Sequence, residues 1–158
     1  MADSVSIKFD ASGLNAALDA IRIEANTNMR PAAQAGAQVL YDEVKLNVSR
    51  LGRKTGNLDR SIYQVFSKDK STASKATYQV SWNYKTAPHG RLVEYGHIQT
   101  RKVYVGSDGR WYTSKILLAQ PKRVAAKPFL RPAFDAKANA ALEAARARWV
   151  QDMQKAIA

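Results

Sequence analysis

Apolar positions change their period several times along the chain, and each change predicts a different element. From Ser4 to Phe9, Val5, Ile7 and Phe9 alternate with Ser6 and Lys8, the period of a half-buried strand. Beyond Asp10, Leu14, Leu18, Ile21 and Ala25 recur every three or four residues, which predicts a helix capped by Ser12 and lying on a core. The polar run Asn26-Thr27-Asn28 predicts a break. Pro31 then suits the first turn of a second helix, where its missing amide hydrogen costs nothing. That helix carries Ala33, Ala37, Leu40, Val44, Val48 and Leu51 on one face and stops at Gly52. The small residues Ala32, Ala33, Ala35, Gly36 and Ala37 leave room for another element to approach closely.

Period two returns in the middle of the chain. Leu58 to Ile62 forms a single turn, and Ile62-Tyr63-Gln64-Val65-Phe66 and Thr77-Tyr78-Gln79-Val80-Ser81-Trp82 read as an antiparallel hairpin around the polar stretch Ser67 to Lys75. A short helix follows from His89 to Tyr95, ended by Gly96. Val103-Tyr104-Val105 and Arg110-Trp111-Tyr112-Thr113 flank Gly106-Ser107-Asp108-Gly109, a turn signal that predicts a projecting ribbon. Lys115 to Lys127, with Pro121, reads as a basic connection. A last helix then begins around Pro128 to Pro132 and places Phe134, Ala138, Ala141, Ala145, Trp149, Met153 and Ile157 on one face. The expected fold is α+β in a single domain spanning 1–158: a small mixed or antiparallel sheet against a long central helix and a C-terminal helix, with a hairpin arm at about 101–115.

Charge adds a localised signal. Of the 158 residues, 25 are Lys or Arg and 13 Asp or Glu, a formal net charge of +12, and the excess is confined to Lys45–Arg131, with 18 cations against 4 anions. A field of that sign attracts phosphate backbones or acidic protein surfaces. The candidate DNA-facing or partner-facing cations are Arg50, Arg53, Lys54, Arg60, Arg101, Lys102, Arg110 and Lys115. Cysteine is absent, which excludes disulfides and thiolate chemistry. No apolar run reaches the roughly 20 residues of a membrane span, so a soluble, cytosolic product with no membrane partner is expected.

Reactive groups are sparse. The two histidines, His89 and His97, bracket Glu94, but on a helix His89 and Glu94 point about 140° apart, which denies them a shared metal-ligand face. Between Lys45 and Arg131 the only acids are Asp59, Asp69, Glu94 and Asp108, each among cations and too scattered for a two-metal centre. Glu94 is expected to pair with Arg91 or Arg131. No phosphate-cradling loop, nucleophile elbow or nucleotide fingerprint occurs. The reading is therefore a non-enzyme with no catalytic, cofactor-binding or metal residues and no cofactor. Its candidate interface residues are Tyr104, Trp111, Tyr112, Glu94 and Arg131. The aromatic residues near cations could also stack on bases, so a stand-alone nucleic-acid-binding protein is the alternative.

Three stretches carry a resemblance when taken in order: Thr55-Gly56-Asn57-Leu58-Asp59-Arg60-Ser61-Ile62, His89-Gly90-Arg91-Leu92-Val93-Glu94-Tyr95-Gly96-His97, and Lys127-Pro128-Phe129-Leu130-Arg131-Pro132-Ala133-Phe134. From about residue 30 onward the chain resembles the neck proteins of long-tailed bacteriophages, the head-to-tail joining or tail-completion family also labelled minor tail proteins. The resemblance implies a homo-oligomeric ring at the junction of capsid connector and tail, in the virion after assembly in the host cytoplasm. It also implies contacts with other neck and tail proteins, and non-specific contact with packaged DNA. By the same resemblance, Gly56, Leu58 and Ile62 set the start of the sheet. Val93, Glu94, Tyr95 and Gly96 form the short helix and its turn, and Pro128, Phe129, Leu130 and Pro132 start the final helix.

Overall fold

Two long helices running antiparallel carry the fold, and two separate two-stranded sheets are attached beside the C-terminal half of the first. The computed structural model describes residues 12–52, 55–109 and 111–157; the strand expected at Ser4–Phe9 lies outside them. In chain order the elements are α1 (Ser12–Arg50), α2 (Asn57–Ser61), β1 (Ile62–Phe66), β2 (Tyr78–Trp82), α3 (Gly90–Tyr95), β3 (His97–Val105), β4 (Trp111–Val124) and α4 (Leu130–Ile157). The α+β class and the C-terminal helix agree with the sequence reading.

The break expected before Pro31 does not occur: α1 runs unbroken through Asn26-Thr27-Asn28 and holds Pro31 in its interior. An interior proline removes one helical hydrogen bond and costs about 3 kcal/mol, so packing along the helix must offset it. That packing is against α4. Asn28 is buried, with its Nδ2 donating to Glu24 Oε1 at 3.2 Å and lying 3.7 Å from Met153 Sδ, and Ala32, one turn further on, is buried on the same side. A Cβ on Gly36 would sit 2.7 Å from the Ala141 carbonyl oxygen and 3.2 Å from Ala145 Cβ, so this crossing needs the small residues that the sequence places there.

A second correction concerns the first turns of α1. Leu18 and Ile21 were expected on a core but are exposed. Met153 meets α1 at Asn28 and Trp149 at Ala25, so α4 runs out before reaching those turns. On α4 itself the buried stripe begins at Ala133, not Phe134, which is 60% exposed; Trp149 is about one-third exposed and donates from its indole Nε1 to the Ala25 carbonyl at 3.4 Å. Phe129 is fully buried, and the residue one helical turn beyond it is Ala133, so the anchoring of Phe129 sets the phase.

The core is small and sits where α1 ends. Val44, Val48, Ile62, Phe129 and Ala133 are buried together, with Tyr41, Leu58, Val80, Trp82 and Val93 packed around them. β1 pairs with β2 from Ile62↔Trp82 to Phe66↔Tyr78, as the hairpin reading expects. This sheet lies on α1, where Gln64 Nε2 donates to the Gln34 carbonyl at 3.2 Å and the Arg30 guanidinium sits 4.5 Å over the Phe66 ring. Gly52, at φ 83°, terminates α1 in the left-handed conformation.

The ribbon is longer than the sequence suggests. The stretch read as a basic connection, Lys115 to Lys127, is mostly strand: β3 and β4 pair antiparallel from His97↔Val124 out to Val105↔Trp111. Register shifts between Gln99 and Val103 leave surplus residues on β4. Pro121, which cannot donate to a ladder, falls between the Leu117 and Lys122 pairings in this irregular segment. The bulges accommodate the proline that made the segment look like a loop.

Candidate assembly surfaces

Glu94 is the most constrained polar residue at the centre of the molecule. α3 delivers its carboxylate, only 1% exposed, to the first turn of α4. Oε2 accepts the amide N–H groups of Phe129 (2.7 Å) and Leu130 (3.0 Å), and Oε1 accepts those of Arg131 amide and Nε (both 3.2 Å). Arg131 closes the loop by donating from its guanidinium to the Glu94 carbonyl at 2.9 Å, and it lies 5.0 Å over the Tyr95 ring. A helix start leaves its first amides without partners, and a carboxylate supplied from elsewhere in the chain satisfies them and the helix dipole together. Burial pushes this carboxyl up, but the three backbone amides and the Arg131 side chain outweigh it and hold Glu94 below the ordinary glutamate value. Of the two arginines offered as partners, Arg131 is the one used. The carboxylate is thus committed within the chain, and no metal-ligand cluster occurs among the described residues.

Around this knot the surface is concave. A cleft of about 560 Å³ opens beside it, walled by the end of α1 (Val48, Leu51), α2 (Leu58), α3 (Leu92, Val93) and the root of the ribbon (His97, Val124). Its walls are mostly apolar. His97 Nδ1 is buried and makes no hydrogen bond among the described residues. Gly96, at φ 72°, turns the chain from α3 into β3; a Cβ there would lie 2.7 Å from the Val124 carbonyl oxygen, so this glycine fixes the root of the ribbon beside the cleft. Lys127 N–H donating to the Val93 carbonyl at 2.8 Å ties down the other side of the root.

The ribbon β3–β4 leaves the body here and, among the described residues, packs extensively on no other element. Eight large apolar residues on it, Ile98, Val103, Tyr104, Val105, Trp111, Tyr112, Ile116 and Leu117, are between 42% and 67% exposed. Directly paired residues share a face and consecutive ones alternate. One face near the tip therefore carries Val103, Val105 and Trp111, and the other carries Tyr104 and Tyr112, whose rings stack at 5.8 Å.

Among the described residues, the candidate cations lie on two parts of the chain. Arg50 and Arg60 are exposed on the body, Arg50 donating to Asn47 Oδ1 at 3.4 Å and Arg60 to Asn57 Oδ1 at 2.6 Å. Arg101, Lys102 and Lys115 are exposed along the ribbon. Arg53, Lys54 and Arg110 lie outside the described residues. Of the interface candidates, Tyr104, Trp111 and Tyr112 sit together near the ribbon tip, whereas Glu94 and Arg131 form the internal knot, with the Arg131 side chain 57% exposed. The sequence reading missed the cleft and the exposed apolar residues Ile116 and Leu117. The available signal was the short apolar run Ile116-Leu117-Leu118-Ala119 within Lys115–Val124. Among the described residues no helix is long and apolar enough to cross a membrane.

Comparison with known proteins bears on what these surfaces serve. Neither a curated protein nor a solved structure matches the chain. A family model described as "Bacteriophage HK97-gp10, putative tail-component" matches residues 12–96, from the start of α1 through the glycine that ends α3. The match takes in the central helix, the first sheet and the Glu94-bearing helix, more than half of the chain, and the chain belongs to the HK97-gp10-like family of bacteriophage tail components.

Proposed function

We propose that this tail component is a structural subunit of the phage neck, and that copies of it close into a ring joining the capsid connector to the tail. The observation that carries the reading is the ribbon. A two-stranded ribbon is at best marginally stable alone in water, and this one turns apolar side chains outward on both faces. Such a surface is completed by contact with other subunits. The body behind it is braced by the Glu94 knot and offers a rigid mount.

Contact, not bond-making, is the work assigned to it. The family is one of tail components, and Glu94, the acid bracketed by the two histidines in sequence, is occupied in holding the start of α4. The positive charge adds a secondary, sequence-independent contact with packaged DNA. The site of action is then the head–tail junction of the virion, reached by assembly in the host cytoplasm. Stand-alone nucleic-acid binding finds no support in the family match.

Mass measurement by light scattering with negative-stain imaging tests the reading, on the protein alone and mixed with the neighbouring head and tail gene products. Closed rings in at least one mixture are expected. Monomers in every mixture would refute it.

A further inference from the structure

We propose that the tip of the ribbon of one copy seats in the apolar cleft at the ribbon root of a second copy. This rests on the self-association proposed above and names the surfaces that make it. Three observations point there. At full residue areas of about 170–280 Å² each, the exposed fractions of the eight apolar ribbon residues leave on the order of 900 Å² facing solvent over both faces, about a third of it on the tip face of Val103, Val105 and Trp111, which is more apolar surface than a monomer ordinarily leaves uncovered. The cleft is a preformed concave surface whose walls match that chemistry, with Leu92 exposed at its mouth.

Geometry supplies the third. His97 and Val124 belong to both the cleft wall and the first ribbon pairing, whereas the tip pair Val105↔Trp111 lies eight residues further along β3, about 26 Å away at 3.3 Å per residue. The tip cannot enter its own cleft without breaking the ladder, so a tip-in-cleft contact forms only between copies. Tip and cleft are different surfaces of the same chain, which makes the contact head-to-tail. Contacts of this kind close into rings when the rotation between copies allows. The face carrying Val103, Val105 and Trp111 is the one assigned to the cleft, leaving the Tyr104–Tyr112 stack on the outer side.

Electrostatics gives a signature. Both partners carry +12, so association through apolar surfaces is opposed by like charge and strengthens as salt screens it. Contact with DNA or an acidic protein weakens with salt.

The chain has no cysteine, so introduced ones report without background. Val105→Cys and Leu92→Cys would be made as separate full-length proteins and mixed under oxidising conditions across a salt titration, with Tyr104→Cys replacing Val105→Cys as the opposite-face control. The expected result is a heterodimeric disulfide between Val105→Cys and Leu92→Cys, at least tenfold faster than with the control and rising with salt. The double variant should give a ladder of cross-linked oligomers. Val105→Asp should weaken association at least tenfold with an unchanged melting temperature. Oligomers that form without this cross-link would overturn the seat and leave self-association standing. Monomers throughout would overturn both. Cross-linking replaced by salt-sensitive protection of the ribbon on a duplex DNA probe would assign the ribbon to DNA and also overturn the seat.

Discussion

Replacing Glu94 with glutamine keeps the side-chain shape and removes one charge, which makes it a direct probe of the knot between α3 and α4. The carboxylate accepts three backbone amides and one guanidinium N–H, at 2.7 to 3.2 Å, while almost wholly shielded from water. An amide retains one acceptor oxygen and turns an NH2 toward a backbone N–H. Two or three charge-assisted bonds are weakened by about 1 kcal/mol each and at least one buried donor loses its partner, so a cost of about 3 kcal/mol is expected. The ion pair itself contributes little of this, because Arg131 is more than half exposed, and Arg131→Met should cost no more than about 1 kcal/mol. In urea titration of the unassembled protein the two variants should therefore separate clearly. In thermal unfolding the glutamine variant should fall by about 6–12 °C for a chain of this size. The pH dependence has a definite sign. The folded carboxyl sits below its ordinary value near 4.5, so its contribution is complete above that value and is lost as pH falls through the lower folded value. The gap between wild type and Glu94→Gln should be constant around neutrality and shrink below about pH 4.5. Equal costs for Glu94→Gln and Arg131→Met, or a Glu94→Gln cost below about 1 kcal/mol, would refute the assignment of the knot to amide capping.

Other perturbations test the fold and the ribbon. Gly36→Leu places a side chain against the Ala141 carbonyl oxygen, and denaturant titration should show a loss of about 2–3 kcal/mol as α1 and α4 are forced apart. Phe129→Ala empties the fully buried centre of the core and should cost about 3–5 kcal/mol, measured the same way. Deleting Val103 to Thr113 and closing the ribbon with a tight turn should leave the circular dichroism spectrum and melting temperature of the body intact while abolishing ring formation in light scattering. An unfolded product would place the ribbon in the core and contradict its description as a projecting arm.

Legibility in the sequence followed how locally each element is determined. The hairpin β1–β2, the Gly52 and Gly96 stops and the buried face Ala37, Val44 and Val48 were readable because period and turn chemistry decide them within a few residues. Pro31 misled because its local preference for a helix start was overridden by α4, more than 100 residues away, packing across it. The strand character of Lys115–Val124 was masked by cations and Pro121, which a bulged, two-edged ribbon tolerates and an interior strand would not. Glu94 could be named with its arginine partner, but its capping of three amides depends on α3 meeting the start of α4 from 35 residues away, which no spacing rule shows. The cleft is assembled from five segments, so nothing in any one of them announced it.

The concentration of cations on a surface proposed to associate has its own logic. A ribbon with open edges and apolar residues on both faces is the combination that templates uncontrolled pairing. Bulges between Gln99 and Val103, the proline on β4 and the charges of Arg101, Lys102, Lys115, Lys122 and Arg123 all oppose side-by-side contact of two ribbons, where like charges would face each other within the Debye length of about 8 Å. A tip entering a mostly apolar cleft keeps those charges along the rim and apart. On the proposed head-to-tail seat, charge would therefore disfavour ribbon-on-ribbon pairing more strongly than the seat itself, and would delay association until screening offsets it. Replacing Arg101, Lys102 and Lys115 with glutamine should raise turbidity on storage at low salt, with irregular aggregates in place of rings by negative stain. Cations that served only to hold DNA would leave the solubility of the free protein unchanged when removed, so clear solutions of the triple variant would defeat this account of their placement.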